Sequence, residues 1–109
     1  MKIIETENAP KAIGTYSQAV KVNGFLFISG QIPLDPSTME LVEGIENQIN
    51  QVFENINQIL KADGMDFSNV VKLSVLLEDL SHFDKVNEIM ASIFSVSYTH
   101  LRAHETQDD

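Results

Sequence analysis

Residues 19–29, AVKVNGFLFIS, decide how the chain is read. Two short runs rich in β-branched and aromatic residues, AVKV and FLFIS, flank the pair Asn23-Gly24. An Asn-Gly pair suits a two-residue type I′ turn, because both central positions need positive φ and these residues adopt it at least steric cost. The segment therefore predicts a β-hairpin. Its second strand is apolar at successive positions, which predicts a strand inside a sheet with cover on both faces.

Outward from the hairpin the pattern changes twice. On the N-terminal side, Lys2 to Thr6 (KIIET) predicts a short strand, and NAPKAIGTYSQA follows neither the helical nor the strand period. On the C-terminal side, SGQIPLDPSTMELVEG is broken by proline, glycine, Asp, Ser and Thr and predicts a loop. Then Ile45, Ile49, Val52, Phe53, Ile56, Ile59 and Leu60 mark one face of a helix, with Glu46, Gln48, Asn50, Gln51, Glu54, Asn57 and Gln58 opposite. Gly64 is a natural stop for it. Val70 to Leu77 (VVKLSVLL) predicts a strand with a buried face. Ser81, with Asp84 three residues on, is placed to cap a second helix carrying the stripe Phe83, Val86, Ile89, Met90, Ile93 and Phe94.

The order β, β-hairpin, α, β, α leaves two amphipathic helices that must bury their stripes. A sheet with helices on one face is the economical answer, an α+β two-layer sandwich. Only about four strands are available, and the second helix has no clear strand after it. The architecture is therefore left unfinished after the second helix.

The bulk numbers fit one soluble domain. The chain has 109 residues, 43% hydrophobic and 21% charged, with a formal net charge of -9. Thinly spread lysines and a strongly acidic balance argue against a phosphate backbone as partner, so no nucleic acid is expected. No apolar run nears the ~20 residues of a membrane span, and no basic-apolar-small signal opens the chain. Cysteine is absent. That rules out thiolate chemistry and fits a reducing cytoplasm.

Residues 9–35, APKAIGTYSQAVKVNGFLFISGQIPLD, resemble the Rid family of reactive intermediate deaminases, its RidA branch above all, through the blocks IGxYSQA and SGQIPLD. The resemblance runs on through LVEGIENQINQVFENINQIL, DFSNVVKLSVLLEDL and HFDKVNEIMASIF, covering about residues 1–94 as one Rid-like domain. Thr15 stands where the family commonly has proline. The family implies a chorismate-mutase-like fold and a homotrimer with sites between subunits. It implies hydrolysis of 2-imino or enamine acids, such as 2-iminopropanoate and 2-iminobutanoate, to a 2-oxo acid and ammonia. It implies no metal and no organic cofactor.

Such a substrate carries a carboxylate, an electrophilic C2 and a nitrogen that leaves as ammonia. Its site needs an anion clamp, best a guanidinium, a positioned water and a group to polarise the nitrogen. Tyr16 matches the family's site tyrosine and Ser29 the serine of SGQIPLD, so both are carried as catalytic residues; a bland reading makes them a half-buried aromatic and a backbone-bonding serine. Gly30 and Gln31, in the same turn, and Asn87, beside the second helix's stripe, are carried as substrate-binding. For Asn87 an interface or capping hydrogen bond is an equal reading. Lys72 and His82 are read as surface residues, and Met39, Met65 and Met90 as packing.

After Phe94 the family continues with a proline link, an arginine-headed strand RSxVxV, then LPKGA and a strand VEIEAIA. That arginine grips the substrate carboxylate, and a glutamate of the final strand positions water. Here the chain reads SVSYTHLRAHETQDD. Residues 95–109 are therefore read as a non-family tail, disordered or artefactual, resembling translated read-through, and set against the resemblance the fold's last two strands are expected to be missing. Arg102 lies about where the clamp falls, and it is carried as a substrate-binding residue on weak neighbours: LRAHE is judged to lack strand alternation. Glu105 has no better claim as the acid. His100 and His104 have helical i, i+4 spacing for zinc, but no HExxH glutamate accompanies them. The chain is expected to be inactive, with aggregation or altered assembly from its open strand edges. The alternatives are a non-catalytic subunit that binds metabolites or proteins and, least favoured, a nuclease.

Overall fold

A computed structural model describes residues 1–14 and 16–94, together with the main chain of 100–105. Thr15 lies outside the described residues. The chain divides into two compact units, Met1–Asp66 and Phe67–Asp109. The division does not fall at Phe94, the expected end of the Rid-like domain.

The first unit is a sheet with a helix on one face. Strands β1 (Lys2–Ile4), β2 (Ala19–Val22) and β3 (Phe25–Ile28) lie in the order β1-β2-β3, all antiparallel. The hairpin forms as its sequence dictates. Asn23 has φ 51 and Gly24 φ 82, and the register runs from Val22↔Phe25 to Ala19↔Ile28. Helix α1 (Ile45–Ala62) lays Ile59 against Ile4, Ala9 and Ala19, with Leu26 and Ile28 packed around them. Ile59 is fully buried, worth roughly 1.5–3 kcal/mol relative to exposure. α1 ends where Gly64 predicts. The glycine sits at φ 71, its N–H donates to the Lys61 carbonyl at 3.0 Å, and the Met65 N–H reaches back to Leu60 at 2.9 Å.

The expected cover on both faces of β3 is corrected. Residues two apart on a strand share a face, and α1 occupies only one of the two. On the other face Ile3, Val22, Phe25 and Phe27 are exposed, Phe27 by 63%.

Two buried amides tie the loops to this frame. The Gln18 side chain donates to the carbonyls of Thr6, Ala9 and Pro10 at 3.0, 3.2 and 2.8 Å and accepts from the Thr6 N–H at 2.7 Å. Asn55, on α1, accepts from Gln51 and donates to the carbonyls of Leu34, at 3.1 Å, and Ile32. Lys21 closes over the buried carboxylate of Asp63 at 3.0 Å.

The second unit contains a 3-10 turn at Phe67–Asn69, β4 (Lys72–Leu77), a second 3-10 turn at Leu80–His82, α2 (Phe83–Ile93) and β5 (His100–Glu105). Helix α2 buries Val86, Ile89 and Met90, the heart of its stripe. Phe67 and Phe94 meet edge to face, centroids 5.3 Å apart. Ser81 does not cap α2 as expected. It belongs to the 3-10 turn, and Asp79 accepts from the Ser81 N–H at 2.8 Å instead. The cause is local: an aspartate two residues ahead of a free N–H closes a tighter turn than a helix cap needs.

The expectation of a tail without a strand is corrected in part. β5 pairs parallel with β4, from Lys72↔His100 to Leu77↔Glu105, with Ser74↔Arg102 between. The main-chain groups of β4 offer a ladder that any extended segment can join. In HLRAHE, moreover, Leu101 and Ala103 do alternate with His100, Arg102 and His104. One strand therefore follows α2, and no second one does among the described residues. Both units mix helix with sheet, and the chain is an α+β protein.

Candidate functional site

Four of the six sequence-predicted site residues come together at the open end of the hairpin, opposite the Asn23-Gly24 turn. Past Ala19↔Ile28 the ladder takes one further step, as the Ser29 N–H donates to the Gln18 carbonyl at 2.9 Å. The Ser29 hydroxyl donates to the Ser17 carbonyl at 2.5 Å. Tyr16 precedes that serine, and Gly30 and Gln31 follow Ser29 across the ladder. Asn87 lies exposed on α2, and Arg102 on β5 opposite Ser74, both in the second unit.

Each group at this end has a defined capacity. A serine hydroxyl has one proton to give, and Ser29 has given it to Ser17. It therefore faces a ligand as an acceptor, fit to take a hydrogen bond from water or from a substrate N–H. Tyr16 is 76% exposed and, among the described residues, its hydroxyl has no partner, so it is neither half-buried nor satisfied. The Gln31 side chain is committed to the Ser29 carbonyl at 3.0 Å. The main-chain N–H groups of Gly30 and Gln31 donate to no other described group, which leaves two adjacent donors there.

Gly30 is informative for what does not constrain it. Its φ lies outside the positive range, and a Cβ built there meets nothing within 4 Å. The backbone here therefore does not itself require glycine.

No arginine occurs in residues 1–66. A polar groove on the same unit, lined by Glu7, Asp35, Ser37, Gln51, Glu54 and Gln58, includes none of the four site residues. The hydroxyl and N–H of Ser37 hold the Asp35 carboxyl below the usual carboxylate range. Three carboxylates suit an anionic ligand poorly. Among the described residues no group of three metal-ligating side chains gathers. His100 and His104 stand on a strand, so the helical geometry considered for them does not arise.

Sequence reasoning missed Gln18 and Asn55, which hold the chain on either side of the site turn. Gln18 was visible only as a motif letter beside Ala19. Asn55 carried a fainter signal, since it lies four residues before Ile59 at the edge of the apolar stripe, where a polar residue needs a buried partner.

The chain is similar to known proteins over nearly its whole length. The sequence profile of the endoribonuclease L-PSP family matches residues 6–105, running past Phe94 through β5. A RutC family protein of Pyrococcus horikoshii is 53% identical over 97 residues, covering 88% of this chain and 77% of that one. The 2-iminobutanoate/2-iminopropanoate deaminase of mouse is 48% identical over 105 residues, covering 95% and 78%. The crystal structure of RidA from an Antarctic Psychrobacter superposes with a TM-score of 0.94 at 47% identity, covering 97% and 86%.

Proposed function

The chain belongs to the endoribonuclease L-PSP family, the Rid proteins, and from that premise we propose that it is a 2-imino acid deaminase subunit whose substrate meets the open end of the β2–β3 hairpin. The observation that carries this reading is the convergence there of Tyr16, Ser29, Gly30 and Gln31. All four stand in blocks that resemble motifs of the deaminase family.

The chemistry follows from what each group has left to offer. A 2-imino acid breaks down when water adds to C2, a proton passes to the nitrogen, and the C2–N bond opens to give a 2-oxo acid and ammonia. Ser29 Oγ accepts a hydrogen bond from the attacking water or the departing nitrogen. The Gly30 and Gln31 N–H groups donate to the substrate carboxylate or to the oxygen forming at C2. The Tyr16 hydroxyl closes the remaining side as donor to either. No cofactor enters, because the protonated imine is already electrophilic and needs chiefly orientation.

The carboxylate clamp decides how well this chain works. Where relatives' motifs place an arginine-headed strand, this chain has HLRAHE, with Arg102 the one guanidinium available. β5 holds its main chain beside β4, yet its apolar alternation is thin for fixing a side chain within the tolerance catalysis demands. Turnover by the 109-residue chain is expected to stay at background. Assembly into a homotrimer is part of the same reading, supported by the uncovered face bearing Ile3, Val22, Phe25 and Phe27. Buried against neighbouring copies, that face would contribute about 25 cal/mol for each Å² removed from water.

The test is 2-oxo acid formation from an enzymatically generated 2-imino acid. The present chain is compared with one in which residues 95–109 are replaced by a relative's arginine-headed strand and terminal strand. Activity in the repaired chain, lost on Gly30→Ala with no change in thermal midpoint, supports the reading. Inactivity of a repaired, folded trimer favours the alternative, a non-catalytic subunit binding metabolites through the same turn. Activity of the present chain that disappears with Arg102→Ala would show that β5 supplies a working clamp.

A further inference from the structure

The hairpin turn carries chemistry of its own. We propose that Asn23 is a site of spontaneous covalent modification in the folded protein, converting through a succinimide to aspartate and isoaspartate. The reaction is intramolecular. The main-chain nitrogen of Gly24 attacks Cγ of Asn23, an N–Cγ bond forms, and the Cγ–Nδ2 bond breaks. Ammonia leaves with the proton that the Gly24 nitrogen gives up. Water then opens the ring at either carbonyl, and no oxidant, reductant or catalyst is required.

Three observations converge on this position. Asn23-Gly24 is the one Asn-Gly pair in the sequence. Both residues are exposed, and among the described residues neither the Asn23 side chain nor the Gly24 N–H has a hydrogen-bond partner. Around Gly24 there is open space, since a Cβ built there meets nothing within 4 Å. Glycine also lets the following peptide swing towards the side chain, a motion that a larger residue resists. Asp63-Gly64 offers an internal contrast. It has the same backbone chemistry, but its side chain is 6% exposed and paired with Lys21, and the Gly64 N–H already donates to the Lys61 carbonyl.

The consequence reaches the other end of the hairpin. Isoaspartate inserts an extra main-chain carbon into a two-residue turn, and the turn sets the register of β2 against β3. The last steps of that register are the bonds from Ser29 to Gln18 and Ser17. Aspartate at 23 adds a negative charge but keeps the turn, because it also tolerates positive φ.

The experiment ages the folded protein at mildly alkaline pH and maps its peptides by mass spectrometry with isoaspartate detection. Asn23 is expected to convert several-fold faster than Asn8, Asn57, Asn69 or Asn87, with isoaspartate as the major product. Gly24→Ala should slow it several-fold. That variant is strained at φ +82, so Asn23→Asp provides the folded control, in which the mass gain at this peptide is absent. Conversion no faster than at the other asparagines, or seen only in urea, would overturn the proposal. The isoaspartyl form, resolved chromatographically from the isomeric aspartyl product, should exchange the Ser29 amide hydrogen faster than the Asn23→Asp protein. Equal rates would overturn the link to the open end.

Discussion

The two units differ in how their strands find each other. In the first, β2 and β3 are joined by two residues, β1 adds to the same ladder, and buried Gln18 and Asn55 pin the loops at its margins. In the second, β4 and β5 are parallel and separated by all of α2. Parallel neighbours need such a crossover, and their pairing is slightly weaker per residue. The difference teaches where specification is local and where it depends on the rest of the chain.

The largest break in that comparison should come from the first unit's core. Ile59→Ala removes a fully buried side chain and should cost about 3 kcal/mol, read from the urea midpoint. Gln18→Leu should cost about 2 kcal/mol, since it strands three carbonyls and one N–H that a single amide now serves. In both variants hydrogen exchange should rise first in β1–β3. Phe94→Leu loses the edge-to-face contact with Phe67 and should cost about 1 kcal/mol. Its exchange effect should concentrate in 67–94. Equal loosening of the hairpin in that variant would erase the distinction between the units.

Acid gives the smallest effect, with one reporter in each unit. Hydrogen bonds from Ser37 hold Asp35, and those from Ser81 hold Asp79, below the ordinary carboxyl value of 3.8. A depressed folded-state value means the stabilisation is present above 3.8 and is lost as pH falls through the lower folded value. Stability should therefore decline below about pH 4. Asp35→Asn and Asp79→Asn should each flatten that decline slightly in thermal melts between pH 5 and pH 2. Both groups are solvent-exposed, so the changes should shrink in salt.

What was legible in the sequence was what neighbours along the chain determine. Asn23-Gly24 announced its turn, the 3-4 spacing from Ile45 announced α1, and Gly64 announced its end. Single-chain burial was less legible. FLFI reads as a doubly covered strand, yet Phe25 and Phe27 face outward, because a pattern records that a face is apolar and not what covers it. β5 was missed because alternation over HLRAHE is carried by Leu101 and Ala103 alone, while main-chain pairing with β4 does not depend on side chains. Of the site, the motif residues at the hairpin's open end were legible and adjacent. Gln18 and Asn55 were not, because their partners are carbonyls distant in sequence, and no local period records them.

The β4–β5 pairing also sets an order of assembly during synthesis. When Gly64 closes α1, every partner in the first unit has already left the ribosome, and that unit can collapse. Lys72 then waits for His100, with a loop-closure cost that grows only as the logarithm of the intervening length. Until that strand arrives, the edge of β4 that it later covers stands unpaired, and such an edge can template pairing with another chain.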